Sequence, residues 1–403
     1  MITFEEALNI VLSRTLAVNT EVVPLEDSIG RVLAQSVTSD IDMPPFNKSA
    51  VDGYAYRSSD HGKQLKICET IRAGSSPGAV ISEGLCSKIM TGAKVPEGAD
   101  SIVMVEDVDV QGDYILFKTG GIDSAGNPKG KNICPQGEDI KKGVMLLEKG
   151  SLIRAAEVAI LASAGVSAPM VATRIKTGII CTGEELVEPG ETPSQVQIRN
   201  SNGWQLRAQV SSAGSEVSYY GIVPDNFEAL KKTVKKAASE NDIIIMTGGV
   251  SMGDFDFVPE VISQVGFYIL FDRVAVQPGK PSTFAVYGDG IENRKVLFAL
   301  PGNPVSSLVQ FELLVKPFIY RSMGNNYSTL WFSAISAMKY ERRSAGRKGL
   351  VPAVLSPDDR VTFLEYHGSA HIASLARANA IAEIPIGCKT IDESAPVRIF
   401  LLK

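Results

Sequence analysis

Four short stretches combine glycine or proline with side chains able to do chemistry: Thr182-Gly183-Glu184-Glu185, Thr247-Gly248-Gly249 running on to Ser251, Asp254 and Asp256, Pro278-Gly279-Lys280-Pro281, and Pro301-Gly302-Asn303-Pro304. Pro224-Asp225 adds a further carboxylate. Glycines let backbone N–H groups approach an anion closely, and Asn303-Pro304 is a helix start whose first-turn N–H groups form another anion site. Backbone donors, hydroxyls and one lysine together suit a phosphate. The carboxylates would repel that phosphate unless a divalent cation bridged them, because the ion's charge reverses the local balance. With oxygen ligands alone, the cation expected is Mg²⁺. Any one of these stretches, taken singly, reads equally well as a solvated turn.

Elements must exist to bring such loops together, and the chain from about residue 174 supplies them. Strands are expected at 176–181, 216–223, 267–271, 282–287 and 295–300, with helices at 202–212 and 258–265 between them. Asp242-Ile243-Ile244-Ile245-Met246, rich in β-branched residues, reads as a buried strand that delivers the Thr-Gly-Gly loop. Asp225 is expected to cap a helix with Phe227, Leu230, Val234 and Ala237 on one face and Lys231, Lys232, Lys235 and Lys236 on a solvated face. Alternation of this kind implies a mainly parallel sheet covered on both faces. Loops at the carboxyl ends of its strands would then converge on one edge.

The flanks differ in pattern. Thr3-Phe4-Glu5-Glu6 is a capping-box start for a helix to about residue 15, and Arg154 to Ala162 reads as a helix ended by Gly165. Residues 46–145, with turns at Gly74, Gly84, Gly98 and Gly120-Gly121, read as a β module. Within it Thr91 is expected at a strand end, in a turn hydrogen bond. Beyond residue 326 short alternating strands return (332–338, 361–366, 380–384, 397–401). The division expected is 1–45 with 146–173, then 46–145, 174–326 and 327–403. The fold class is multidomain α/β and β: a doubly wound, mainly parallel α/β domain flanked by a β module and a small C-terminal β domain.

Composition narrows the function. A chain of 403 residues with 44% apolar and 21% charged residues is ordinary for a globular protein. A formal charge of −5 argues against a nucleic-acid partner or an anionic membrane. Five dispersed cysteines without C-x-x-C fit a reducing, cytoplasmic compartment and exclude a cysteine zinc cluster. His61, His367 and His371 do not form a zinc-hydrolase pattern. Glu5 and Glu6 stand where a signal peptide would be basic, and no stretch is long and apolar enough for a membrane span.

The ordered series of motifs resembles the molybdopterin molybdenumtransferases, the MoeA proteins, which are related to the E domain of gephyrin. The residues that carry the resemblance are Pro44-Pro45-Phe46-Asn47-Lys48-Ser49-Ala50-Val51-Asp52-Gly53-Tyr54-Ala55, Ile89-Met90-Thr91-Gly92-Ala93, Gly137-Glu138-Asp139-Ile140, Thr182-Gly183-Glu184-Glu185-Leu186, Thr-Gly-Gly-Val-Ser-x-Gly from Thr247, Pro-Gly-Lys-Pro from Pro278, and Leu-Pro-Gly-Asn-Pro-Val-Ser from Leu300. The resemblance implies a molybdopterin-binding-like α/β domain and the insertion of molybdate into adenylylated molybdopterin, with Mg²⁺-dependent release of AMP. It implies a homodimer whose cleft combines the α/β domain of one subunit with the β module of the other, and other cofactor-biosynthesis proteins as partners. By motif position, Asp52, Thr91, Glu185, Asp225, Asp256 and Lys280 are the catalytic set, with Glu185, Asp225 and Asp256 on Mg²⁺. Thr182, Gly183, Thr247, Gly248, Gly249, Ser251, Asp139, Pro301, Gly302, Asn303 and Pro304 would hold the cofactor precursor. Two departures from the family pattern each remove a positive charge from the anion site: Gln277 before Pro278, and Cys134-Pro135-Gln136 before the Gly-Glu-Asp motif. A molybdopterin adenylyltransferase, or a non-catalytic scaffold like the gephyrin E domain, is the alternative.

Overall fold

A computed structural model describes residues 1–118, 129–249, 257–288, 295–364 and 372–402. The chain forms two compact units, one of residues 36–148 with 159–167, the other of residues 1–35, 149–158 and 168–403.

In the first unit a six-stranded sheet runs Ser101–Met104, Gly53–Tyr56, Leu85–Ile89, Leu65–Ile71, Tyr114–Phe117, Val108–Gln111. Alternate residues of Gly53–Tyr56 serve two cores. Tyr54 and Tyr56 pack with Leu65, Cys86 and Ile115, whereas Ala55 packs with Ile71, Ile89 and Ile102. Side chains of a strand point to opposite faces in turn, so a strand without polar residues has both faces covered.

The second unit contains the α/β sheet. Its strands are β1 (Lys176–Thr182), β2 (Glu216–Val223), β3 (Ile243–Thr247), β4 (Phe267–Arg273), β5 (Pro281–Tyr287) and β6 (Val296–Leu300). Its helices are α1 (Asn202–Ser212), α2 (Phe227–Glu240), α3 (Val258–Val265) and α4 (Pro304–Gln310). The spatial order is β2-β1-β3-β6-β5-β4, parallel through β6 and antiparallel over the last two pairs. The apolar run of β3 is explained by this position. Ile243 and Ile245 pack with Leu206, Val210, Val305 and Val309 of α1 and α4, while Ile244 and Met246 pack with Leu230, Val234, Val258 and Ile262 of α2 and α3. Both faces are dry, so no polar residue interrupts the strand.

Local signals set several boundaries. The capping box forms as expected: Glu6 N donates to Thr3 Oγ1 at 3.2 Å and Thr3 N to Glu6 Oε2 at 2.8 Å, although the helix closes earlier, at Leu12. Helix α2 is capped by Asn226, whose side chain accepts from Ala229 N at 3.1 Å, rather than by Asp225. Either residue type caps well, and what separates them is that Asp225 is engaged elsewhere.

The C-terminal strands close on themselves. Lys348–Leu355 pairs with Arg360–Phe363, then Phe332–Ser336, Pro396–Leu401 and Ala380–Ile384, which returns to Lys348–Leu355. Closure removes exposed edges. Lys348–Leu355 is the strand that sequence pattern misses, because Pro352 argues against a strand interior. Its first residues also pair in parallel with Val276–Gln277, just ahead of the Pro-Gly-Lys-Pro loop. None of the described helices is long and apolar enough to cross a membrane.

Candidate active site

The loops at the carboxyl ends of β1, β3 and β6 meet. Gly248 has φ +95, and a Cβ there would lie 2.0 Å from Thr182 O; a Cβ on Gly302 would lie 3.5 Å from Gly248 Cα. Only glycine permits the Thr-Gly-Gly turn to sit on the end of β1. Thr182 Oγ1 donates to Asp225 Oδ1 in a short bond, so the carboxylate beyond β2 is tied to the end of β1. This is the engagement that leaves the capping of α2 to Asn226.

A staple from α1 fixes two of the loops to each other. Asn202 Nδ2 donates to Thr247 Oγ1 at 2.9 Å and to Gly302 O at 2.7 Å, and Thr247 Oγ1 donates to Pro301 O at 3.2 Å. Sequence reasoning missed Asn202, since it opens a helix and touches the loops only through tertiary packing. Its signal in the sequence is a carboxamide at a first-turn position.

A cleft of ≈ 710 Å³ opens over these loops, lined by Thr182, Gly183, Glu185, Asp225, Gly248, Gly249, Lys280, Pro301, Gly302 and Asn303 among others. The expected convergence therefore holds for the described residues of the α/β domain. Pro304 and Thr247 line an adjoining chamber of ≈ 330 Å³ that shares Thr182, Glu185, Gly248 and Asn303 with the cleft. Ser251 and Asp256, like Asp254, His367 and His371, lie outside the described residues. Among the described residues there is no group of three or more His, Cys, Asp or Glu placed to share a metal ion.

The cleft contains two groups that pattern did not flag. Arg347 comes from the turn before Lys348–Leu355, with one guanidinium nitrogen donating to Val276 O at 3.2 Å. The pairing of Val276–Gln277 with the start of that strand is what brings it in. Ser306 in the first turn of α4 is 1% exposed, and its hydroxyl has no hydrogen-bond partner among the described residues. Gln310 Nε2 holds the Pro-Gly-Lys-Pro loop by donating to Gly279 O at 3.2 Å. Among the described residues, Lys280 and Arg347 stand in the cleft with the carboxylates Glu185 and Asp225.

Under the cleft, burial pushes the Cys181 thiol of β1 up to about 11, so it stays neutral and is no nucleophile. Burial, then the hydrogen bond that Tyr219 OH donates to the Glu188 carboxylate at 2.5 Å, raises the Tyr219 phenol well above its usual range.

Asp52, Thr91 and Asp139 belong to the other compact unit. There Thr91, just past Leu85–Ile89, donates its amide and its hydroxyl to Asp52 Oδ1 at 2.7 and 2.8 Å, the turn bond expected of it. The exposed Asp139 sits in a turn whose amide donates to Met43 O at 3.1 Å.

Three family models match successive parts of the chain: "MoeA N-terminal region (domain I and II)" over residues 2–165, "probable molybdopterin binding domain" over 178–321, and "MoeA C-terminal region (domain IV)" over 336–402. Molybdopterin molybdenumtransferase of Staphylococcus epidermidis is 34% identical, covering 99% of this chain and 95% of its own, and that of Staphylococcus aureus is 31% identical over 98% and 94%. The crystal structure of the molybdopterin biosynthesis MoeA protein from Pyrococcus horikoshii OT3 superposes with a TM-score of 0.84 at 30% identity, covering 100% of both chains.

Proposed function

The chain belongs to the MoeA family of molybdopterin molybdenumtransferases, enzymes of molybdenum cofactor biosynthesis, and on that premise we propose that it inserts molybdate into the dithiolene of adenylylated molybdopterin with Mg²⁺-dependent release of AMP. The observation that carries this reading is one cleft containing Glu185, Asp225, Lys280 and Arg347 together with the Gly248-Gly249 turn.

The donor set fits the metal. Mg²⁺ takes one or two carboxylates and fills its remaining positions with substrate phosphate and water; Glu185 and Asp225 meet that need, with Asp256 as the third residue assigned to it. When bound, the ion neutralises charge on the phosphate being released. The chain's own residues do the rest. The Thr182 hydroxyl orients Asp225, backbone amides of Gly183, Gly248 and Gly249 cradle the phosphate, and Lys280 and Arg347 hold molybdate by charge. Gln277, neutral in the same cleft, adds hydrogen bonding without charge.

Incubation with adenylylated molybdopterin, molybdate and Mg²⁺ should release AMP. Release no greater than in a protein-free control, or release unaffected by chelation of Mg²⁺, would sink the reading. The adenylyltransferase alternative accounts for the α/β domain alone, whereas the family matches extend over the flanking regions as well.

The same reading assigns a cytoplasmic homodimer of four-domain subunits, divided 1–45 with 146–173, 46–145, 174–326 and 327–403, in which Asp52, Thr91 and Asp139 serve the site of the other subunit. Five free thiols support the reducing compartment, and a core of Val351, Val361, Ala382 and Ile399 within the C-terminal barrel supports a domain there, although Leu350, Ile381 and Phe400 of its strands pack into the cluster that also holds Ile243 and Ile245. A monomer in sedimentation at assay concentrations would count against the dimer.

A further inference from the structure

Arg347 reaches the cleft from residues 342–347, which lie between the strands Tyr340–Glu341 and Lys348–Leu355 and belong to neither. After Arg347 the backbone is fixed by pairing: Lys348 N donates to Ala275 O at 2.9 Å, and Gly349 stands opposite Gln277. Before it, the segment is joined to the turn at 385–389. Arg342 N donates to Lys389 O at 3.0 Å and Gly387 N to Ala345 O at 2.9 Å.

The centre of that joint is a buried side chain. Arg342 is 7% exposed, and its guanidinium donates through Nε to Cys388 O at 2.8 Å, through Nη2 to Pro385 O at 2.7 Å and through Nη1 to Arg347 O at 2.7 Å. Its rigid fork therefore spans the 385–389 turn and the residue that enters the cleft. Among the described residues its guanidinium bonds to these carbonyls and to no carboxylate. A charge buried without a counter-ion is a poor source of stability, since an apolar side chain of similar size avoids its desolvation. What the guanidinium supplies, and an apolar group does not, is a fixed spacing of those carbonyls. Arg347 is thus held at both ends, its carbonyl by Arg342 and its guanidinium on Val276 O at 3.2 Å. Little room is left around the joint: a Cβ on Gly349 would lie 3.0 Å from Arg342 Nη1.

We propose that Arg342 is a positioning residue for the oxyanion: by gripping the Arg347 carbonyl it fixes where that guanidinium stands in the cleft, and so sets the affinity for molybdate. The inference rests on the reading of Lys280 and Arg347 as the groups that hold molybdate by charge. A cation already in place needs no reorganisation when the anion arrives, whereas a cation on a loose turn gives up part of its attraction to ordering. Arg342 is not among the residues that line the cleft. Its effect on the anion passes through the Arg347 backbone.

The test is a double-mutant cycle on the full-length protein. It reads the molybdate concentration for half-maximal AMP release in the wild type, Arg342→Met, Arg347→Ala and the double variant. Arg342→Met should raise that concentration roughly tenfold, the worth of one charge-assisted hydrogen bond, with near-wild-type turnover at saturating molybdate and an unchanged Mg²⁺ requirement. In the Arg347→Ala background the same substitution should add little, because residues that act as one unit are not additive. Arg342→Lys keeps the charge and loses the fork, so it should fall between the wild type and Arg342→Met; it also completes the cycle should Arg342→Met misfold. An unshifted molybdate requirement in the Arg342 variants overturns the inference. So does an undiminished effect in the Arg347→Ala background, or an equal shift in the molybdate and Mg²⁺ requirements, either of which marks a general loss of structure. An effect of Arg347→Ala with none from Arg342 defeats this inference alone; Arg347→Ala without effect, or a wild type that releases no AMP, defeats the function reading with it.

Discussion

Asp52 Oδ1 accepts two hydrogen bonds from one residue, Thr91, through its amide at 2.7 Å and its hydroxyl at 2.8 Å. These bonds, the amide's first, hold the Asp52 carboxyl below the usual carboxylate range. The sign follows from the direction. A carboxyl depressed in the folded state contributes stability above its unfolded-state pKa and loses it as pH falls through the folded-state value. Replacing Thr91 with Val deletes the hydroxyl and keeps the amide, so the Asp52 carboxyl should titrate at higher pH without returning fully to the ordinary value. A carbon-detected NMR titration reads this directly, and an unchanged Asp52 midpoint would contradict it.

Gly248→Ala should damage the site and the fold together. The added Cβ would be 2.0 Å from Thr182 O, at a φ of +95 that L-residues rarely adopt. A backbone position of this kind costs about 1–3 kcal/mol, to which the forced separation of the loops adds. The expected outcome is a lower midpoint in denaturant and loss of AMP release even where the protein remains folded. Wild-type activity in this variant would mean that the turn does not hold phosphate.

Glu185→Gln and Asp225→Asn keep shape and remove charge from the two described carboxylates assigned to Mg²⁺. The Mg²⁺ concentration for half-maximal AMP release should rise at least as much as when an outer-shell partner is lost, roughly 10–100-fold. Asp225→Asn also alters the bond from Thr182 Oγ1, so Thr182→Val should shift the Mg²⁺ requirement the same way by less. A drop in rate with an unchanged Mg²⁺ requirement would move these residues away from the metal.

Charge in the cleft should govern molybdate. Arg347→Ala removes one of its cations and Gln277→Lys adds one; the first should raise the molybdate concentration needed for turnover and the second lower it. Each effect should shrink with added salt, because charges open to solvent are screened over about 10 Å at 0.1 M ionic strength. If molybdate dependence is the same in both variants, the anion binds elsewhere.

Much of this molecule is legible without coordinates, and the legible parts share a cause. The apolar run Ile243 to Met246, the Thr3 and Glu6 capping box and the Asn303-Pro304 start depend on neighbours within a few residues or on a period fixed by backbone geometry. The loops that β1, β3 and β6 carry are therefore placed by the strand pattern, and their meeting follows from a parallel sheet.

What the sequence by itself determined is the α/β alternation and the set of strand-end loops, down to the glycines that allow close approach. Tertiary structure alone decided that Asn202 joins Thr247 to Gly302, that Asp225 bonds Thr182 while Asn226 caps the helix, and that Arg347 enters the cleft through the pairing of Gln277 with Gly349. Except for the local cap of Asn226 on Ala229, which is left to it because Asp225 is engaged, each is a contact between residues far apart in the chain, chosen among chemically equivalent candidates by packing. Residue type announces that a carboxamide can bond or a guanidinium can attract; only the folded chain fixes which groups lie within 3 Å of one another.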